Sequence, residues 1–109
     1  MSQNQTPYFV TIVTTEFSGK DPVGYDQYRA ELSAVVSSQP GFMRSETVHN
    51  GEQTVSLTYW ESEAAMQTWA SSPAHQETKK KSHAGGWYKS LRLEIAQVTT
   101  AMEFPPRKG

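Results

Sequence analysis

The chain has 109 residues, 36% of them hydrophobic and 19% charged, with a formal net charge of −1 and no cysteine. That is room for one core and one domain, in a composition neither disordered nor membrane-embedded. It excludes disulfides, thiolate metal sites and a cysteine nucleophile, and gives no electrostatic reason to expect nucleic acid as a partner. No apolar run approaches the roughly 20 residues of a spanning helix, so no membrane partner is expected. Met1–Thr6 is polar and uncharged, without a basic cluster leading an apolar stretch, and the expected location is cytoplasmic. The local charge excess Lys79-Lys80-Lys81 reads as a solvated helix face.

Tyr8 to Thr15 reads Tyr-Phe-Val-Thr-Ile-Val-Thr-Thr, a run of strand-favouring residues. It is apolar on both faces for most of its length, which predicts a central strand covered on both sides. Ser18, Gly19, Asp21 and Pro22 mark a loop from Phe17 to Val23. Tyr25, Tyr28, Leu32, Val35 and Val36 then recur at helical spacing, with Asp26, Arg29 and Glu31 off that stripe. Ser37-Ser38-Gln39-Pro40 ends the helix, because the residue before a proline is pushed out of the α region.

Asn50-Gly51 separates two strand-like runs, near 42–48 and 53–60, and predicts a hairpin with a type I′ turn. In the second run Val55, Leu57 and Tyr59 share one face, and Thr54, Ser56, Thr58 and Trp60 the other. Ser62 suits an N-cap with Glu63 in the first turn, and Ala65, Met66 and Trp69 form the apolar stripe that follows. Ser72 with Pro73 reads as a second cap and first helical position. That helix carries His75, Lys79 and His83 and stops at Gly85-Gly86. Trp87-Tyr88 leads into a last strand, Ser90 to Val98, where Leu91, Leu93 and Ile95 alternate with Arg92, Glu94 and Ala96. The tail from Glu103 to Gly109, with Pro105-Pro106, is expected to be mobile.

The order strand, helix, strand, strand, helix, strand predicts an α+β, ferredoxin-like βαββαβ fold. Its antiparallel sheet would carry the helices on one face. The other face would expose an apolar patch of a size monomers seldom show, and a second copy is the simplest cover. A two-fold homodimer is therefore expected, packed sheet against sheet.

Among residues that could carry chemistry, His49 falls in the hairpin turn and is expected to be exposed and idle. His75 and His83 are eight apart on one helix, about 12 Å along its axis, too far to share a metal. With no His-Glu-x-x-His and no carboxylate cluster, no metal site is expected. His75 stands out in the first turn of its helix, beside the Trp69 segment, where the positive helix end favours a neutral ring able to act as a base. The opposing reading is a partly buried histidine that hydrogen-bonds a carbonyl. The aromatics Tyr59, Trp60, Trp69, Trp87 and Tyr88 fill a core on the plain reading, while Trp69 is the first candidate to wall a flat pocket for an aromatic ligand.

The run Tyr59-Trp60-Glu61-Ser62-Glu63-Ala64-Ala65, continuing through Trp69 to Ser72-Pro73-Ala74-His75, resembles the antibiotic biosynthesis monooxygenase domain. Pro40-Gly41-Phe42 and Trp87-Tyr88 fit the same pattern, and the likeness extends from about Tyr8 to Val98. The resemblance implies a dimeric α/β barrel, with one pocket per subunit between helices and sheet. It further implies oxidation of a phenolic, polycyclic substrate by O₂ with no cofactor. His75 would be the base, Trp69 the pocket wall, and Arg44 or Tyr59 a hydrogen-bond donor. The alternative is a non-catalytic dimeric binding protein for a small hydrophobic metabolite. The family's haem-degrading branch fits less well: the first strand lacks its asparagine, and the position ten residues after Trp69 is Lys79, protonated and a poor iron ligand.

Overall fold

The structure, a computed structural model, describes residues 6–105. The expectations for the N-terminal segment 1–5 and for residues 106–109 of the tail lie outside the described residues. The elements run β1 (Tyr8–Phe17), α1 (Pro22–Ser37), β2 (Phe42–Asn50), β3 (Gln53–Trp60), α2 (Glu63–Ala70), α3 (Pro73–Gly85) and β4 (Tyr88–Val98). The four strands form one antiparallel sheet in the order β2-β3-β1-β4, the ferredoxin-like arrangement, with β1 internal as its two-sided apolar pattern predicts. No helix among the described residues is long and apolar enough to cross a membrane.

Local chemistry sets most of the boundaries. α1 begins earlier than its apolar stripe, at Pro22, because Asp21 caps it: the Asp21 carboxylate accepts from the Gly24 N–H at 3.1 Å. The hairpin turn differs from expectation. Asn50 is still in the ladder, opposite Gln53, so Gly51 and Glu52 are the two loop residues. Only Gly51 has positive φ, +65°, the pattern of a type II′ turn rather than type I′. His49 accordingly lies in β2, not in the turn, and its Nδ1 is 3.1 Å from the hydroxyl of buried Thr54 across the ladder.

The ladder pairings fix which residues share a face. Phe9, Trp60 and Phe42 line up across β1, β3 and β2, and Trp60 and Phe42 pack against the helices. Thr54, Ser56 and Thr58 therefore point toward the helices, while Val55, Leu57 and Tyr59 point away, beside Tyr8, Val10 and Ile12 of β1. The more apolar side of β3 is thus the one that α1–α3 leave uncovered.

Two clusters hold the helices to the sheet. Trp60, with no exposed surface, packs with Met66 and Trp69, flanked by Leu32, Val35, Val36 and Phe42. Tyr25, Tyr28 and Trp87 form the other, with Phe17, Leu32 and Tyr88 around them. In that second cluster Tyr25 stacks on Phe17 at 4.5 Å and Tyr28 lies 4.9 Å from Trp87. Burial raises both the Tyr28 and the Tyr88 phenol above the ordinary tyrosine value, and at Tyr88 neighbouring Tyr28 and Tyr25 add to it. A raised phenol binds its proton more tightly in the folded state, so its contribution is fully present below about pH 10. It is lost as pH climbs from there toward the folded value. Denaturant titrations from pH 9 to 11.5 are expected to show stability falling by up to about 1.4 kcal/mol per pH unit for each such phenol. Tyr88→Phe should flatten that slope.

Candidate functional site

The junction between α2 and α3 is built by one serine. Ser72 has extended backbone and caps α3, its hydroxyl accepting from the His75 N–H at 3.1 Å. The same hydroxyl donates to the Trp69 carbonyl at 2.8 Å, tying the end of α2 to the start of α3. Pro73 at the first helical position fixes the entry, and His75 falls in the first turn, as the Ser-Pro sequence predicts. The imidazole lies 5.0 Å from the Trp69 indole, inclined at 56°. Ser72→Ala is expected to lower stability by about 1 kcal/mol through the lost cap, and to loosen His75, which thermal unfolding and the imidazole NMR signal would report.

His75 Nδ1 is 2.9 Å from the Ala70 carbonyl, which also accepts from Gln76 at 3.2 Å. A carbonyl can only accept, so Nδ1 is the donor, and in the neutral ring this tautomer leaves the lone pair on Nε2. Among the described residues nothing engages Nε2. The hydrogen bond to a carbonyl is thus present, and it fixes the ring with Nε2 turned away from that bond. Trp69 itself is buried and serves both as a wall of the Trp60 cluster and as the surface against which His75 rests.

The structure does not bring Arg44 and Tyr59 to this pair. They lie on the sheet face away from the helices, where the Arg44 guanidinium sits 3.9 Å above the Tyr59 ring and pairs with Glu46 at 3.3 Å. Tyr8 meets the same Tyr59 ring edge-on at 6.1 Å. Sequence reasoning left the side of β3 open, and the pairing of Trp60 with Phe42 and Phe9 decides it. His83 is exposed in the last turn of α3. No group of three or more metal-capable side chains occurs among the described residues.

What faces the helices from the sheet is mixed. Thr11, Val13, Ser56 and Thr58 are half-buried in its middle. Leu91, Leu93 and Ile95 of β4 share that face yet stay 53–56% exposed, so the helix layer leaves the β4 side open. A separate groove of about 430 Å³ lies between α1 and α3, lined by Gly24, Tyr28, Ala84, Gly85 and Trp87 and bordered by the Glu31–Lys81 pair; it reaches neither Trp69 nor His75.

The sequence model of the antibiotic biosynthesis monooxygenase family matches residues 25–81, from α1 into α3, including Trp69, Ser72 and His75. The chain belongs to the antibiotic biosynthesis monooxygenase family. Its fold is that of other structures in and around the antibiotic biosynthesis monooxygenase group. SnoaB from Streptomyces nogalater, a cofactor-independent oxygenase, matches with a TM-score of 0.66 at 19% identity, over 90% of this chain and 98% of that one. The hydroxynitrile lyase from Passiflora edulis matches with a TM-score of 0.73 at 13% identity, over 88% and 97%. At such identities the likeness concerns fold, and these two proteins show one fold hosting different chemistries. In sequence, this antibiotic biosynthesis monooxygenase family member is 24% identical over 99 residues to the uncharacterised protein YqjZ of Bacillus subtilis, covering 90% of this chain and 86% of that protein.

Proposed function

We propose that this chain is a cofactor-independent monooxygenase that oxidises an aromatic or polycyclic phenolic substrate with O₂, working as a cytoplasmic homodimer. The observation that carries the reading is His75, held through Nδ1 on the Ala70 carbonyl, resting against Trp69, with Nε2 free to take a proton. Family membership and the likeness to the oxygenase SnoaB support it. In this chemistry the base removes a proton from an acidic phenol or carbon acid. The resulting anion is electron-rich enough to reduce O₂: one oxygen atom enters the ring as a quinone carbonyl and the other leaves as water. The hydroxyls of Thr11, Ser56 and Thr58, on the sheet face toward the helices, are candidates to hold the polar edge of such a ligand, and Leu91, Leu93 and Ile95 its apolar part.

Incubating the protein with anthrones and dihydroxynaphthalenes in air while following O₂ uptake tests the reading. Uptake above the buffer rate with quinone formation is expected. Uptake no faster than buffer across the panel would leave the second reading, a binding protein for a hydrophobic metabolite. That reading draws on the His75–Ala70 bond, which suffices to anchor a helix start without any catalysis.

A further inference from the structure

The groove between α1 and α3 takes no part in the chemistry above. Its volume, about 430 Å³, is that of a small-molecule site. Its wall on α1 is a single stripe, Gly24, Tyr28 and Glu31, and α3 supplies Lys81, Ala84 and Gly85. Two buried rings line it, those of Tyr28 and Trp87, with centroids 4.9 Å apart and planes inclined at 35°.

The two ends of the groove differ in chemistry. At one end Glu31 of α1 meets Lys81 of α3 at 3.3 Å, each side chain about half exposed. Such a surface pair contributes little to stability, so it opens readily to a competitor. A ligand with one charge would take one partner and strand the other. A zwitterion answers both, its carboxylate on Lys81 and its ammonium on Glu31.

At the other end stands Trp87, whose indole N–H is buried and meets no acceptor among the described residues. Nε1 is bonded to Cε2, and Cε2 lies against Gly85: a Cβ added to that glycine would come 2.5 Å from it. The unpartnered donor is thus on the edge of the ring nearest the Gly85 wall. A buried N–H without an acceptor is a cost to the fold, which an oxygen brought by a ligand would relieve. Length sets the size of that ligand. Gly24 and Glu31 are seven residues apart on α1, about 10 Å along its axis. One aromatic amino acid spans that distance, whereas a docked helix or strand would overrun it.

We propose that the α1–α3 groove binds an α-amino acid of the tyrosine type. Its ammonium and carboxylate take the places of Lys81 and Glu31 in their pair, and its ring lies along Tyr28 and Trp87. Its ring hydroxyl accepts from the Trp87 indole. The proposal is independent of the oxygenase reading, since the groove reaches neither Trp69 nor His75.

Titration of the ¹⁵N-labelled full chain with L-tyrosine, followed by NMR, tests it. The chain has three tryptophans, and their indole N–H signals report on three separate places. Saturable shifts are expected at the amides of Gly24, Ala84 and Gly85 and at the Trp87 indole. A dissociation constant of about 1 mM or below is expected for a ligand of this size. The Trp60 and Trp69 indoles should stay where they are. Tyramine lacks the carboxylate, 3-(4-hydroxyphenyl)propionate the ammonium and L-phenylalanine the hydroxyl. Each is expected to bind about 10-fold more weakly or worse. L-Tyrosine should lose as much on the Glu31→Gln/Lys81→Gln variant, which keeps its fold because the pair is exposed. No saturable shift with L-tyrosine, or shifts confined to Trp69 and His75, would remove the groove as a site. An analogue that binds as tightly as L-tyrosine, or a double variant that binds it undiminished, would overturn the assignment of a tyrosine-type amino acid. None of these readings depends on O₂ uptake.

Discussion

His75→Ala is expected to cut turnover by about 100-fold or more while leaving the protein folded, the usual scale for losing a positioned base. The fold should survive because the cap of α3 uses the backbone N–H of residue 75, which alanine keeps, and because Gln76 still serves the Ala70 carbonyl. The lost side-chain hydrogen bond costs only about 1 kcal/mol. His83→Ala, in the exposed last turn of α3, should be nearly silent. Partial rescue of the alanine variant by added imidazole would assign the lost activity to the ring itself. Circular dichroism and turnover with a competent phenol check both halves. An alanine variant that unfolds, with activity undiminished in its folded fraction, would make His75 a structural residue and remove the mechanism.

Trp60→Ala is expected to cost about 3–5 kcal/mol, a large part of the roughly 5–15 kcal/mol that a domain of this kind has in total. Trp60 is wholly buried, packs edge-on with Phe42 at 6.1 Å and is the sheet's contribution to the cluster holding α2. Its replacement leaves a cavity that α1 and α2 can only partly close. Trp60→Phe should cost much less, about 1–2 kcal/mol. The Trp60 indole N–H is buried and meets no acceptor, so phenylalanine loses volume but also removes an unpaired donor. Urea titrations of the three proteins would show it. Equal losses for alanine and phenylalanine would mean that the ring's packing is not what governs this position.

The strands were legible because β1 and β3 carry little but β-branched, aromatic and hydroxyl residues, and the helix starts because capping chemistry is local. The Ser72-Pro73 pair placed α3 and with it His75. The same logic at Asp21-Pro22 would have placed the start of α1, but the glycine and serine just before it read as a continuing loop. The turn type was less legible: Asn50-Gly51 favours positive φ at both positions, and the ladder, by taking Asn50 into a pair with Gln53, moved the turn on by one residue. The sidedness of Arg44 and Tyr59 could not be read at all. Alternation assigns Tyr59 and Trp60 to opposite faces but does not say which face meets a helix, and hydrophobicity points the wrong way, since the Thr-Ser-Thr side of β3 is the covered one. On β2 the bulge between Phe42 and Arg44 shifts the alternation once more.

Leu32 touches both the Trp60 cluster and the Tyr28 cluster. A single side chain of α1 therefore bridges two packing units that otherwise share little. In hydrogen-exchange language, their openings are expected to be one event rather than two. Shortening it would let the Tyr25–Trp87 end exchange its amides while the α2–α3 junction stays protected. The backbone around His75 would then keep its order under conditions that already loosen the far end of the molecule.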